Sequence, residues 1–150
     1  MHSANPEKTK PTERNFENCV HCRDSLFALK RIVTLGKTHA LGGAYFAEFF
    51  VWTGEAREEL LAQAGQLVGI IPHTSEARMK YLRELHPFDA FEIIVWPRAQ
   101  AMSLSLRFFF VRDSDLIAVG DQEMCLKSNG KIIPIPAQMA EFIAKFDPQP

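Results

Sequence analysis

Ala44-Tyr45-Phe46-Ala47-Glu48-Phe49-Phe50-Val51-Trp52-Thr53-Gly54-Glu55-Ala56-Arg57-Glu58-Glu59-Leu60-Leu61-Ala62-Gln63-Ala64 decides the architecture. At 100° per residue, Phe46, Phe49, Phe50, Thr53, Ala56, Leu60, Leu61 and Ala64 share one broad face. Glu48, Glu55, Glu58 and Glu59 lie on the other and read as a solvated face. Gly65 is the expected stop. A helix this apolar must be covered, and the chain around it offers mostly strand.

Upstream, Ser25–Leu35 is rich in Leu, Ile, Val and Phe and reads as a strand. Lys37–Gly43 is glycine-broken and irregular. Downstream, Ala90–Trp96, Ser103–Arg112 and Leu116–Lys127 read as strands. Asn129-Gly130 makes a tight turn into Lys131–Pro134, and Pro136–Phe146 closes as a short helix. Thr74–Leu85 is ambiguous; local propensity alone favours helix. The pattern is α+β, an antiparallel β-sheet wrapped around one long central α-helix.

The chain's 150 residues suffice for one domain with a real core. Seventeen basic and 18 acidic residues leave a net charge of −1, which argues against a nucleic-acid binder. Apolar residues make up 47%, so global disorder is excluded. No apolar run is long enough for a membrane span and no signal segment leads the chain, so a soluble cytoplasmic protein is expected. Residues 1–24 are polar, with balanced charge, and read as an N-terminal tail or arm; the domain is 25–146, and 147–150 a frayed end. Twelve of the 16 aromatic residues are Phe, which suits a thick core or an apolar ligand channel.

Two features carry chemistry. Arg57 lies about 20° from Phe46 and Ala64 on the wheel, inside the apolar stripe. A guanidinium there needs a buried partner, a path to water, or a ligand site. Thr38-His39-Ala40-Leu41-Gly42-Gly43 delivers a glycine-rich loop to the helix start, where unpaired amides suit an anion or a developing oxyanion. Cys19-Val20-His21-Cys22 is only half a zinc site, and Cys125 is distant, so no metal is expected. His73 and His86 read as exposed loop histidines. Arg78, Lys80 and Arg83 would meet solvent, a carrier-protein helix or a nucleotide phosphate.

The run Thr38-His39-Ala40-Leu41-Gly42-Gly43-Ala44-Tyr45-Phe46, then Trp52-Thr53-Gly54-Glu55-Ala56-Arg57-Glu58, resembles the signature of hot-dog-fold acyl thioesterases, the 4-hydroxybenzoyl-CoA thioesterase-like superfamily. The resemblance is closest to the branch that releases polyketides from acyl carrier proteins in enediyne biosynthesis. Pro87-Phe88-Asp89, Val119–Cys125 and Ile133-Pro134-Ile135-Pro136 extend it, so that it covers Ser25–Phe146. It implies a strand over Thr74–Glu84, a homodimer or homotetramer, and an acyl-carrier-protein or acyl-CoA substrate with no cofactor. The family's functional Arg falls on Arg57. Its Asn, Asp in many relatives, falls on His39, and a Tyr ten residues after that Asn falls on Phe49.

Thioester hydrolysis needs a placed water and oxyanion donors; the thiolate departs with little help. The expected catalytic residues are therefore Arg57, with the helix-start amides, for the oxyanion and His39 for the water. His39 would act as hydrogen-bonding anchor or as general base. Gly43, Ala44, Tyr45, Phe46, Phe49, Phe50 and Tyr81 are the expected substrate-binding residues. Two alternatives stand: a non-catalytic acyl-binding protein of the same fold, and a hot-dog dehydratase or hydratase. The helix acids, turned away from Arg57's face, count against the last.

Overall fold

The structure, a computed structural model, describes residues 26–65 and 68–146. The N-terminal arm, Cys19, Cys22 and the last four residues, of which sequence reading made a tail, an unmetallated pair and a frayed end, lie outside the described residues. Strand β1 (Phe27–Ile32) leads through a 3₁₀ turn (Leu35–Lys37) and the glycine loop to helix α1 (Glu48–Ala64). Strands β2 (Ile71–Tyr81), β3 (Ala90–Ala99), β4 (Leu104–Arg112), β5 (Asp115–Ser128) and β6 (Lys131–Ile133) follow, then helix α2 (Ala137–Ala144). The strands pair antiparallel in the order β1-β3-β4-β5-β2, with β6 also on β5. This is the expected hot-dog arrangement.

Alternation along β3 and β4 produces the core. Phe91, Ile93 and Val95, with Leu104, Leu106, Phe108 and Phe110, turn inward and are buried. Against them α1 buries Phe49, Trp52, Thr53, Ala56, Leu60, Leu61 and Ala64. Phe49, Trp52, Phe91 and Phe110 form a ring cluster, with centroids 4.8 Å apart for Trp52–Phe91 and 5.0 Å for Phe49–Phe110. Each such side chain contributes about 1.5–3 kcal/mol by leaving water. The face of the sheet turned away from α1 carries a second cluster, Ile94, Trp96, Phe109, Val111 and Val119.

Three expectations are corrected. Helix α1 begins at Glu48, not Ala44, because Ala44 pairs with Thr38 as an isolated bridge. The strand that the resemblance implied over Thr74–Glu84 is present against local helix propensity, with bounds 71–81, paired along β5 from Ile71↔Lys127 to Tyr81↔Ala118 with one bulge at Thr74/Glu76. That places His73 in a strand rather than a loop. The acidic face of α1 is not simply solvated: Glu55 and Glu59 take Arg31 of β1, and Glu48 takes Lys37 at 3.0 Å. Asn129 and Gly130, with φ of 51° and 74°, make the expected turn between β5 and β6.

Strand β2 forms one border of the sheet. It is eleven residues long and exposed along nearly its whole length. A long uncovered edge is a template for another strand.

Candidate active site

The loop before α1 closes on itself. His39 N–H donates to the Gly43 carbonyl and Gly42 N–H to the His39 carbonyl, both at 2.9 Å. Gly42, at φ +92°, supplies the left-handed step that this tight reversal needs. His39 sits at the corner, and Leu41 N–H donates to its Nδ1 at 3.0 Å. With Nδ1 accepting, the neutral ring carries its hydrogen on Nε2. That Nε2 looks over Gly43: a Cβ there would stand 3.0 Å from it and 3.5 Å from the Glu84 carboxyl carbon.

A cavity of about 430 Å³ opens at this corner. Of the sequence-predicted residues it brings together His39, Ala44, Tyr45, Phe46, Phe49 and Tyr81. Leu41, Arg83, Glu84 and Leu85 complete the wall and were not foreseen as lining. Gly43 lies beneath the His39 ring, whereas Phe50 and Arg57 are not among the lining residues. Phe46 is 58% exposed, an aromatic ring outside the core on this wall. Tyr81 donates its hydroxyl to the Phe46 carbonyl at 2.7 Å and packs edge-on against Phe49, tying the end of β2 to the start of α1. Burial raises the Tyr81 phenol above its ordinary value, so it stays protonated in this bond.

The helix-start amides are partly spent. Ala44 N–H donates to the Leu85 carbonyl at 2.6 Å and Tyr45 N–H to the Lys37 carbonyl at 2.8 Å. Among the described residues no acceptor is found for the N–H groups of Gly43, Phe46 and Ala47.

Arg57 lies elsewhere. Its Nη1 donates to Thr74 Oγ1 at 2.7 Å, and its Nε and Nη2 donate to Glu58 at 3.1 and 2.8 Å. The side chain keeps 18% of its exposure, at the border of the apolar stripe rather than inside it. The expectation that every helix acid turns away from Arg57 fails for Glu58, whose long side chain folds back onto its neighbour. Phe46 and Arg57 are separated by about 16 Å along the helix at 1.5 Å per residue. Tyr81 and Thr74 stand about 23 Å apart along β2 at ~3.3 Å per residue. Arg57, at the middle of α1, and Thr74, in the first half of β2, thus lie well away from the cavity within one chain.

Beyond Glu84 the chain is pinned. Arg112 Nη1 donates to the Glu84 carbonyl at 3.0 Å and to Asp89 Oδ2 at 2.8 Å. Asp89 Oδ2 also accepts the His86 amide at 2.8 Å. Burial alone would raise the Asp89 carboxyl, but the His86 amide and the Arg112 guanidinium outweigh it and hold the group below its ordinary value. In the core, Gln122 Nε2 donates to Thr53 Oγ1 at 3.0 Å, and Thr53 Oγ1 donates to the Phe50 carbonyl at 2.8 Å. Both side chains had been quoted in motifs without a role. Among the described residues no group of three or more His, Cys, Asp and Glu could hold a metal, and no helix is long and apolar enough to cross a membrane.

A larger open groove, about 610 Å³, lies beside β1 around Lys30, Arg31, Ile32 and Phe91. Its Arg31 is already taken by Glu55 and Glu59, and it holds none of the expected site residues. The smaller cavity at the helix start is therefore the candidate site.

Comparison with known proteins agrees with this fold. The Dynemicin thioesterase, described on polyene binding, superposes with a TM-score of 0.76 at 23% identity, covering 81% of this chain and 97% of that one. The 1,4-dihydroxy-2-naphthoyl-CoA thioesterase of Synechocystis gives 0.73 at 21% identity, covering 79% and 96%. A Staphylococcus aureus protein in complex with CoA gives 0.76 at 17% identity, covering 83% and 86%. At these identities the likeness is one of fold. No curated protein sequence matches the chain. The sequence profile of the thioesterase-like superfamily matches residues 33–143, and the chain belongs to that superfamily.

Proposed function

We propose that the chain hydrolyses an acyl or polyketide thioester of an acyl carrier protein or coenzyme A. The observation that carries this is the cavity at the start of α1, an apolar wall with a histidine donor and free amides at one end. The Dynemicin thioesterase's polyene and the Staphylococcus aureus protein's CoA support the two halves of such a substrate. Tyr45, Phe46 and Phe49 receive the acyl chain. His39, with Nε2–H outward, acts as the hydrogen-bonding anchor for water or carbonyl, the role Asn has in the resembling branch. Gly43, Phe46 and Ala47 supply amides to the oxyanion.

One protomer keeps Arg57 away from this cavity, and a second copy resolves the separation. Two β2 strands pairing antiparallel about their middle bring the Tyr81 end of one against the Thr74 end of the other. The partner's Arg57 then stands beside the cavity, where its planar fork orients the thioester carbonyl or the oxyanion. The dimer is thus the catalytic unit.

The test is release of free thiol from a panel of acyl-CoA and acyl-carrier-protein thioesters. Turnover of at least one class is expected. Tight binding of acyl thioesters without any thiol release would favour the non-catalytic acyl-binding alternative.

A further inference from the structure

A water that attacks a thioester must give up a proton, and the cavity's histidine is occupied in a way that prevents it from taking that proton. Leu41 N–H fills the Nδ1 lone pair, and Nε2 already bears hydrogen. The other polar groups on the wall are Tyr45, Tyr81, Arg83 and Glu84. The Tyr81 hydroxyl is given to the Phe46 carbonyl, and Arg83 is a cation that faces Asp115 at 3.5 Å. Glu84 is the carboxylate on this wall.

Its backbone is fixed from both sides, while its side chain is 73% exposed. The Glu84 carbonyl receives Arg112, and the next carbonyl, Leu85, receives Ala44 N–H. These bonds staple the Glu84 segment to the loop that carries His39. The space above Gly43 is bordered by His39 Nε2 on one side and the Glu84 carboxyl carbon on the other. A water held between these two groups would accept a hydrogen bond from Nε2 and donate one to the carboxylate. The absence of a side chain at Gly43 keeps that space open.

We propose that Glu84 is the general base of this site, with His39 orienting the water; this rests on the thioester-hydrolase reading above. The carboxylate takes one proton as the water oxygen bonds to the thioester carbon and the carbonyl pair moves to oxygen. Collapse of the tetrahedral intermediate breaks the C–S bond. The sulfur leaves with the pair and takes the proton back from Glu84, giving a carboxylic acid and a free thiol. The charged groups around Glu84 are His86, with Nε2 at 3.7 Å, and, on the same wall, Arg83 and His39; Arg112 reaches its carbonyl from β4.

The experiment compares wild type, Glu84→Gln and Glu84→Ala in thiol release across pH, with thermal melting as the check on folding. General-base assistance is worth ~10²–10⁴-fold, so Glu84→Gln should lose that much in kcat and also lose the acid limb of kcat/KM. Added formate should restore part of the Glu84→Ala rate, which a purely structural role would not allow. A Glu84→Gln enzyme as fast as wild type, with the same acid limb, overturns the assignment and leaves the hydrolase reading intact. A wild-type protein silent on every thioester overturns both.

Discussion

At position 43 one methyl group separates a working corner from a blocked one. A Cβ there would meet His39 Nε2 at 3.0 Å, so Gly43→Ala should push the imidazole off its place while leaving the core untouched. Thiol release should fall at least ~10-fold, about 1.4 kcal/mol of barrier, with melting temperature little changed. Full activity would show that the ring has no such post. At the same corner, His39→Asn keeps a donor and should retain substantial activity, whereas His39→Ala should not; equal rates for all three would make His39 a bystander. Much of this was legible in the chain. The loop Thr38–Gly43 announced a backbone reversal before a helix, and His39 stood where the resembling branch has Asn. Glu84 was not legible as part of it, because sequence reading ran the strand to Glu84, whereas β2 ends at Tyr81 and releases Glu84 into the cavity wall.

Helix α1 is held in register by a polar pair as well as by apolar packing. Thr53 is 1% exposed and accepts Gln122 Nε2 from β5. Thr53→Val keeps the shape but leaves the buried amide without its acceptor. It should lower stability by about 1–3 kcal/mol in urea unfolding, and Thr53→Val with Gln122→Met should recover much of the loss. An unchanged midpoint for Thr53→Val would mean that the pair does not fix the helix. The helix itself was plain from its apolar stripe, though its start was set four residues early. Ala44 and Tyr45 carry no local stop signal before the stripe, yet their amides go to Leu85 and Lys37, contacts that no local pattern encodes. The strand at β2 was legible from the family resemblance but not from local pattern, for the same reason. Its residues alternate only weakly, and what makes it a strand is the ladder to β5, more than forty residues away at its centre.

For the whole molecule, the open edge of β2 and the separation of Arg57 from the cavity have one shared solution, a second copy. Sequence placed Arg57 on the stripe and so inferred a site; the fold places it at the middle of the same helix, away from the cavity and bound to Thr74 and Glu58. A site that needs two chains cannot be read from one wheel. In solution the protein should run at twice its 17.0 kDa mass or a multiple of it, and a monomer at micromolar concentration would remove the basis for a shared site. The direct test is complementation. His39→Ala and Arg57→Met chains are each prepared, found nearly inactive in thiol release, then unfolded together and refolded as a mixture. If each site takes His39 from one chain and Arg57 from the other, half the dimers are mixed and each has one intact site. Activity should then return to about a quarter of wild type. A mixture no more active than its two components would contradict the shared site.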